Sequence, residues 1–165
     1  MALWDVHKKT NYFTYTIGTR EILRKINKAE WILSERHRCA TFYNETLEEL
    51  NWLKTPEVPE GHVHGYQSYV CLFCPDEPTL DNVEKLHRRR NALMLRLEAS
   101  GIATRQGTHA PVILGYYAQK YGLRPEQFPK AYLADRLSLA LPLYPQMTET
   151  EQSLVCQSLR DALDA

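Results

Sequence analysis

Arg105 and His109 sit where side chains could do chemistry, in the run T-R-Q-G-T-H-A-P (104–111). A histidine after a glycine turn can shuttle a proton or donate to a developing oxyanion. An arginine can clamp a carboxylate or phosphate through two parallel N–H groups. The plainer alternative for His109 is a loop histidine satisfied by its own neighbours. Cys71-x-x-Cys74 could form a redox pair, but such pairs sit at helix N-termini, where the dipole lowers a thiol pKa. Here the pair ends a predicted strand and Pro75 follows it, so buried structural cysteines are expected. His62-x-His64 could offer two metal ligands, yet two ligands do not complete a zinc site and no metal is assigned. Arg88-Arg89-Arg90 could contact nucleic acid. On a helix, three consecutive arginines point in three directions, and Glu84 precedes Arg88 at i,i+4 spacing, so a solvated helix face is expected.

The elements that position these residues follow from periodicity. From about Gly18 to Leu53, the residues Ile22, Ile26, Ala29, Leu33, Ala40, Tyr43, Leu47 and Leu50 form one helical stripe uninterrupted by Gly or Pro, which predicts a long helix, bent along its length. TPEVPEGHVHG (55–65) reads as a loop and YQSYVCLF (66–73) as a strand. A second helix is expected over about 80–100, with Val83, Leu86, Leu93 and Leu97 inward and Gly101 as its C-terminal cap. IATR (102–105) reads as a short strand. Two shorter helices are expected near 112–121 and 130–139, each after a proline. A last helix starts at Thr148, whose T-x-x-E with Glu151 is a capping box. Two or three short strands packed by helices in this order make an α+β layer.

The chain has 165 residues, 44% hydrophobic and 24% charged, as ordinary for a globular domain. Twenty basic residues balance twenty acidic ones, so no net field favours nucleic acid or an anionic membrane. No apolar run suits a signal peptide or a membrane span. A cytoplasmic chain with four free thiols is expected.

One stretch carries more than composition. Gly101–Met147 runs from G-I-A-T-R through the G-T-H-A turn to F-P-K-A-Y-L-A-D-R-L-S-L-A-L-P-L-Y-P, and a T-x-x-E-Q helix start follows. With the pattern R90-x-x-L93-x-x-x-L97-x-x-x-G101-I102, and R36-x-x-x-A40-x-x-Y43-x-x-x-L47 before it, this stretch resembles the C-terminal small domain of the DegT-type aminotransferases. These are pyridoxal-phosphate (PLP) enzymes that move an amino group onto keto-sugar nucleotides.

The resemblance implies an α+β fold-type-I small domain over 58–165, a short antiparallel sheet covered by helices, preceded by an N-terminal arm and the long connecting helix over 1–57. It implies that the parent chemistry draws its amino group from glutamate. The G-T-H-A turn of similar proteins faces the mouth of the active site, which makes Arg105 and His109 candidate substrate-binding residues. The family's Schiff-base lysine belongs to a large domain that this sequence does not match. Lys8 and Lys9 lack its context, so no catalytic residue is assigned.

The family's Gly-aromatic-Asn-aromatic-Arg run maps onto Asn11, a candidate cofactor contact, and puts Phe13 where the family has arginine. A family histidine three residues after His109 is replaced by Val112. The family also enters its small domain with a histidine near an aromatic strand, similar to H-G-Y-Q-S-Y-V (64–70). The expectation is therefore a C-terminal part of a PLP-dependent sugar-nucleotide aminotransferase, inactive and without PLP alone, partnered by a large-domain subunit or a second copy. The alternative is a non-catalytic remnant or dimerisation module. Neither nucleic acid nor membrane is an expected partner.

Overall fold

The computed structural model describes residues 26–162. Helix α1 spans Ala29–Leu47 and strand β1 Leu53–Lys54. Strand β2 is Tyr69–Phe73, and α2 is Val83–Ala99. A 3-10 turn at Pro111–Ile113 leads into α3, Gly115–Tyr121. A second 3-10 turn at Pro125–Gln127 leads into α4, Pro129–Leu137. Strand β3, Ser138–Leu141, and α5, Glu149–Asp161, complete the α+β arrangement.

The sheet order is β1-β2-β3, antiparallel throughout. Leu53 pairs with Phe73, and Tyr69 with Leu141. Alternation along β2 turns Tyr69, Cys71 and Phe73 to one face. There they join Leu139 and Leu141 of β3, Cys39, Ala40, Tyr43 and Leu47 of α1, Leu93 and Leu97 of α2, and Val155, Cys156 and Leu159 of α5 in one core. A smaller cluster, Val83, Leu86 and Leu137, fastens α2 to α4.

Local chemistry sets the element ends. Gly101 has φ +78°, a conformation that costs a residue with a Cβ more than it costs glycine. Its N–H reaches Glu98 O, and the Ile102 N–H reaches Leu97 O, closing α2 in a Schellman motif with Ile102 buried beside Leu97. Thr148 and Glu151 exchange side-chain-to-backbone bonds of 3.2 and 2.8 Å, the predicted capping box of α5.

Several expectations need correction. The long helix does not run to Leu53: it ends at Leu47, and Leu53 enters β1. The part of that stripe before Ile26, including Ile22, lies outside the described residues. The 66–73 strand starts at Tyr69. IATR makes one bridge, Arg105 to Ala140, on the open edge of β3. The helix expected over 130–139 stops at Leu137, because Ser138 turns to extended backbone (ψ 140°) and begins β3. Ser138 and Leu139 fall inside the expected helix because S-L-A-L has no strong β-formers and four residues are too few for alternation to mark a strand.

Candidate functional site

The turn that carries Arg105 and His109 runs along the open edge of β3. Arg105 exchanges both backbone bonds with Ala140 (2.7 and 3.3 Å), which fixes where its exposed side chain leaves the sheet. Buried acceptors hold the turn after it. Ser138 Oγ, completely buried, accepts from the N–H groups of Gly107 and Thr108, both at 3.1 Å. Asp135 Oδ2, on the last turn of α4, accepts from the Ala110 N–H at 2.8 Å. A Cβ added at Gly107 would meet Val70 Cγ1 at 2.3 Å, so the chain crosses the sheet closer than any other residue permits.

The His109 side chain is 70% exposed, with Nδ1 3.9 Å from Asp135 Oδ2 and 3.2 Å from Gln106 Nε2. The structure thus presents His109 and Arg105 outward from one clamped turn. Buried polar side chains such as Asp135 and Ser138 cost free energy unless each is bonded, and here both spend their acceptors on this turn. Val112 is buried in the 3-10 turn behind it. Sequence reasoning missed Gln106 and Ser138, and offered Asp135 only as an ion-pair partner of Arg105, whereas it holds the Ala110 N–H. The polar D-x-x-S spacing across a helix end was the available signal, but only the fold brings it under the turn.

The other candidates resolve differently. Cys71 and Cys74 are free and buried, and burial pushes the Cys71 thiol up to about 12, opposite to what a redox pair needs. His62 stays exposed, its ring nitrogen 3.1 Å from Glu60 O. His64 Nδ1 accepts the Tyr66 N–H at 2.9 Å, and the rings of His64 and His37 flank the Tyr66 ring at 4.4 and 5.2 Å. Tyr66 has φ +41°, a left-handed conformation that costs an aromatic residue free energy and that this packing must hold in place.

The arginine run is a solvated face only in part. Arg88 and Arg89 are exposed, and Arg89 pairs with Asp76 at 3.2 Å. Arg90 is 2% exposed, because positions 83, 86, 90, 93 and 97 form the inward stripe of α2. Its guanidinium donates to Arg136 O at 3.1 Å and contacts Met94 Sδ and His87 Nδ1 at 3.0 Å. Desolvation lowers its pKa, and the charge of Asp135 opposes that shift.

Glu84 does not pair with Arg88. It accepts from the Tyr132 hydroxyl at 2.6 Å and lies 3.1 Å from Arg136 Nε, tying α2 to α4. The Tyr132 bond first, then the Arg136 charge, hold its carboxyl below the usual range.

The described residues do not fit PLP. A Schiff-base lysine works from a desolvated pocket that makes its amine reactive near neutral pH. Lys28, Lys54, Lys85, Lys120 and Lys130 are all exposed. Lys54 borders an open cleft of about 560 Å³ whose other charged side chains, Glu45, Glu48 and Glu57, would repel a phosphate. Lys120 donates to the Tyr116 hydroxyl. Asn11, the candidate cofactor contact, lies outside the described residues, as do Phe13, Lys8 and Lys9. No described helix is long and apolar enough to cross a membrane. No group of three or more metal-ligating side chains gathers among the described residues.

Comparison with known proteins agrees with this architecture. An uncharacterized protein of Methanocaldococcus jannaschii is 26% identical over 129 residues, covering 78% of this chain and 31% of that protein. The spore coat polysaccharide biosynthesis protein SpsC of Bacillus subtilis is 23% identical over 139 residues, covering 84% of this chain and 34% of its own length. The structure of PseC from Helicobacter pylori, an aminotransferase involved in pseudoaminic acid biosynthesis, superposes with a TM-score of 0.73 at 13% identity, over 86% of this chain and 35% of that one. The chain therefore spans about a third of the length of these relatives. The profile of the DegT/DnrJ/EryC1/StrS aminotransferases, PLP enzymes, matches residues 19–160, and by that match over most of its length the chain belongs to this family.

Proposed function

We propose that this chain is the C-terminal, small-domain part of a PLP-dependent aminotransferase acting on keto-sugar nucleotides, with glutamate as amino donor. Residues 1–57 are its arm and connecting helix, and 58–165 its small domain. The observation that carries the proposal is the family match over residues 19–160, joined to a clamped turn that holds His109 and Arg105 out to solvent. In this reading the lysine and most cofactor contacts come from a large domain, in the same polypeptide or on a partner. The small domain supplies polar groups at the substrate mouth. The aminated sugar nucleotide would feed polysaccharide or related sugar synthesis inside the cytoplasm.

The test compares the 165-residue chain alone with the chain joined to, or co-expressed with, a lysine-bearing large domain of the family. After PLP addition and dialysis, visible absorbance should be retained only in the second sample, with glutamate-dependent amination of a keto-sugar nucleotide. A band retained by the isolated chain and abolished by replacing one of its lysines overturns the proposal.

A second reading, a non-catalytic remnant or dimerisation module, draws on the exposure of all five described lysines. It gains if no large domain restores PLP retention although the two parts associate.

A further inference from the structure

Gln106 decides what His109 can do. Its amide nitrogen lies 2.8 Å from Thr108 O, a carbonyl that only accepts, so the NH₂ end of Gln106 must face that side. The same nitrogen lies 3.2 Å from His109 Nδ1. With one proton on Thr108 O, its second proton points to Nδ1, which must then be the unprotonated nitrogen of the neutral ring. The remaining ring proton sits on Nε2, at the exposed end of the side chain.

Protonation of the ring places a second proton on Nδ1. That proton breaks the bond from Gln106 and faces Asp135 Oδ2, the buried carboxylate 3.9 Å away on α4. Nε2 keeps its proton in either state. Gln106 serves the neutral ring and Asp135 the charged one, and both leave an N–H directed outward.

We propose that Gln106 is a positioning residue that fixes His109 as an outward N–H donor, so this turn binds an acceptor oxygen of its ligand and does not act as a base. The proposal rests on the turn facing substrate. Its ligand chemistry is an anionic oxygen, which two sources could supply: the diphosphate of a sugar nucleotide or the carboxylate of the amino donor. Arg105, exposed at the bridge to β3 that starts this turn, adds the charge such an oxygen calls for.

The test is ¹⁵N-histidine NMR of the full 165-residue chain, with the His109 signal assigned through a His109→Gln variant. Wild type near neutral pH should show Nε2 protonated and Nδ1 bare. Gln106→Glu, whose carboxylate accepts and cannot donate, should move the proton to Nδ1. Gln106→Leu should give a mixture of both forms. Circular dichroism of both variants should match wild type, because Gln106 contacts only its own turn in the bonds above. Wild type with Nδ1 protonated, or the same tautomer in all three chains, overturns the proposal.

Two further samples, ¹⁵N-labelled at both histidine and arginine, receive millimolar inorganic pyrophosphate or glutamate. A shift of the His109 Nε2 and Arg105 guanidinium signals by one of them identifies the source. No shift with either overturns the acceptor-binding part. None of these outcomes depends on PLP, so the tautomer result and the large-domain experiment fail separately.

Discussion

The two halves of α1 carry similar apolar side chains and meet different surroundings. In the C-terminal half, Cys39, Ala40, Tyr43 and Leu47 are completely buried against β2, β3 and α5. In the N-terminal half, Trp31 and Leu33 are 46% and 44% exposed, and Ile26 just before the helix is more exposed still. The buried half also carries specific bonds. The Tyr43 hydroxyl donates to Pro142 O at 2.9 Å, and Gln152 Nε2 donates to Cys39 O at 2.9 Å. Burying a large apolar side chain is worth about 1.5–3 kcal/mol, and the N-terminal half leaves much of that unrealised. A helix that extends apolar residues beyond its own core is built for more contact than residues 26–162 supply, which fits the proposed docking on a large domain.

The comparison breaks most sharply through stability. Tyr43→Ala should cost about 3–5 kcal/mol and Leu47→Ala about 2–5 kcal/mol, through the cavities they leave. Trp31→Ala and Leu33→Ala should cost only about 1 kcal/mol each, since nearly half of each residue's surface is already in water. Urea unfolding of the four variants measures all of this. A Leu33→Ala cost equal to that of Leu47→Ala would mean that the N-terminal half is covered after all.

Thiol chemistry gives a second contrast. Burial raises the Cys39 pKa and pushes those of Cys156 and Cys71 up to about 11 and about 12. A thiol that high holds almost no thiolate at neutral pH. The folded chain should react with a thiol-specific dye far more slowly than the chain in denaturant. A cysteine introduced at exposed Leu33 should react at once in the folded state. Fast native labelling at Cys39 would show that the C-terminal half opens.

Gln152 sharpens the contrast at smaller scale. It is fully buried, and among the described residues its Oε1 has no hydrogen-bond partner. Gln152→Met loses the bond to Cys39 O but also removes that orphaned oxygen, so the two effects offset to within about 1 kcal/mol. Gln152→Glu keeps the shape and buries a carboxylate, and should cost clearly more. Equal costs for Met and Glu would point to the lost bond as the dominant effect.

How much of this was legible in the sequence depended on length and on distance. The α2 stripe Val83, Leu86, Leu93 and Leu97 spans four turns, and each of its residues is buried as read. Arg90 sits on the same stripe, yet its charge argued for solvent. Its burial depends on Arg136 O, 46 residues away, which local spacing cannot see. The capping box at Thr148 and the glycine cap at Gly101 are local devices and were readable. The candidate site was half readable. Its type, a polar turn carrying Arg105 and His109, is written in consecutive residues. Its clamps, Asp135 and Ser138, come from a helix end and a strand start that were read together as one helix.

The finest test of the two halves uses their tryptophans. Trp31 belongs to the exposed half, whereas Trp52 packs edge-on against Phe73 with ring centroids 5.7 Å apart. Trp4 lies outside the described residues, so difference spectra are needed. The fluorescence removed by Trp31→Phe should be red-shifted and readily quenched by iodide, as expected of an indole in contact with water. The fluorescence removed by Trp52→Phe should be bluer and less accessible. Neither variant should change stability by more than about 1 kcal/mol, because each keeps an aromatic ring in place. Iodide access to Trp31 that falls as protein concentration rises would identify a second copy of the chain as the cover for this face. Access that falls only when a large domain is added would identify that domain instead. Low access at every concentration would mean that the chain covers Trp31 itself, and the contrast between the halves of α1 would then be one of degree.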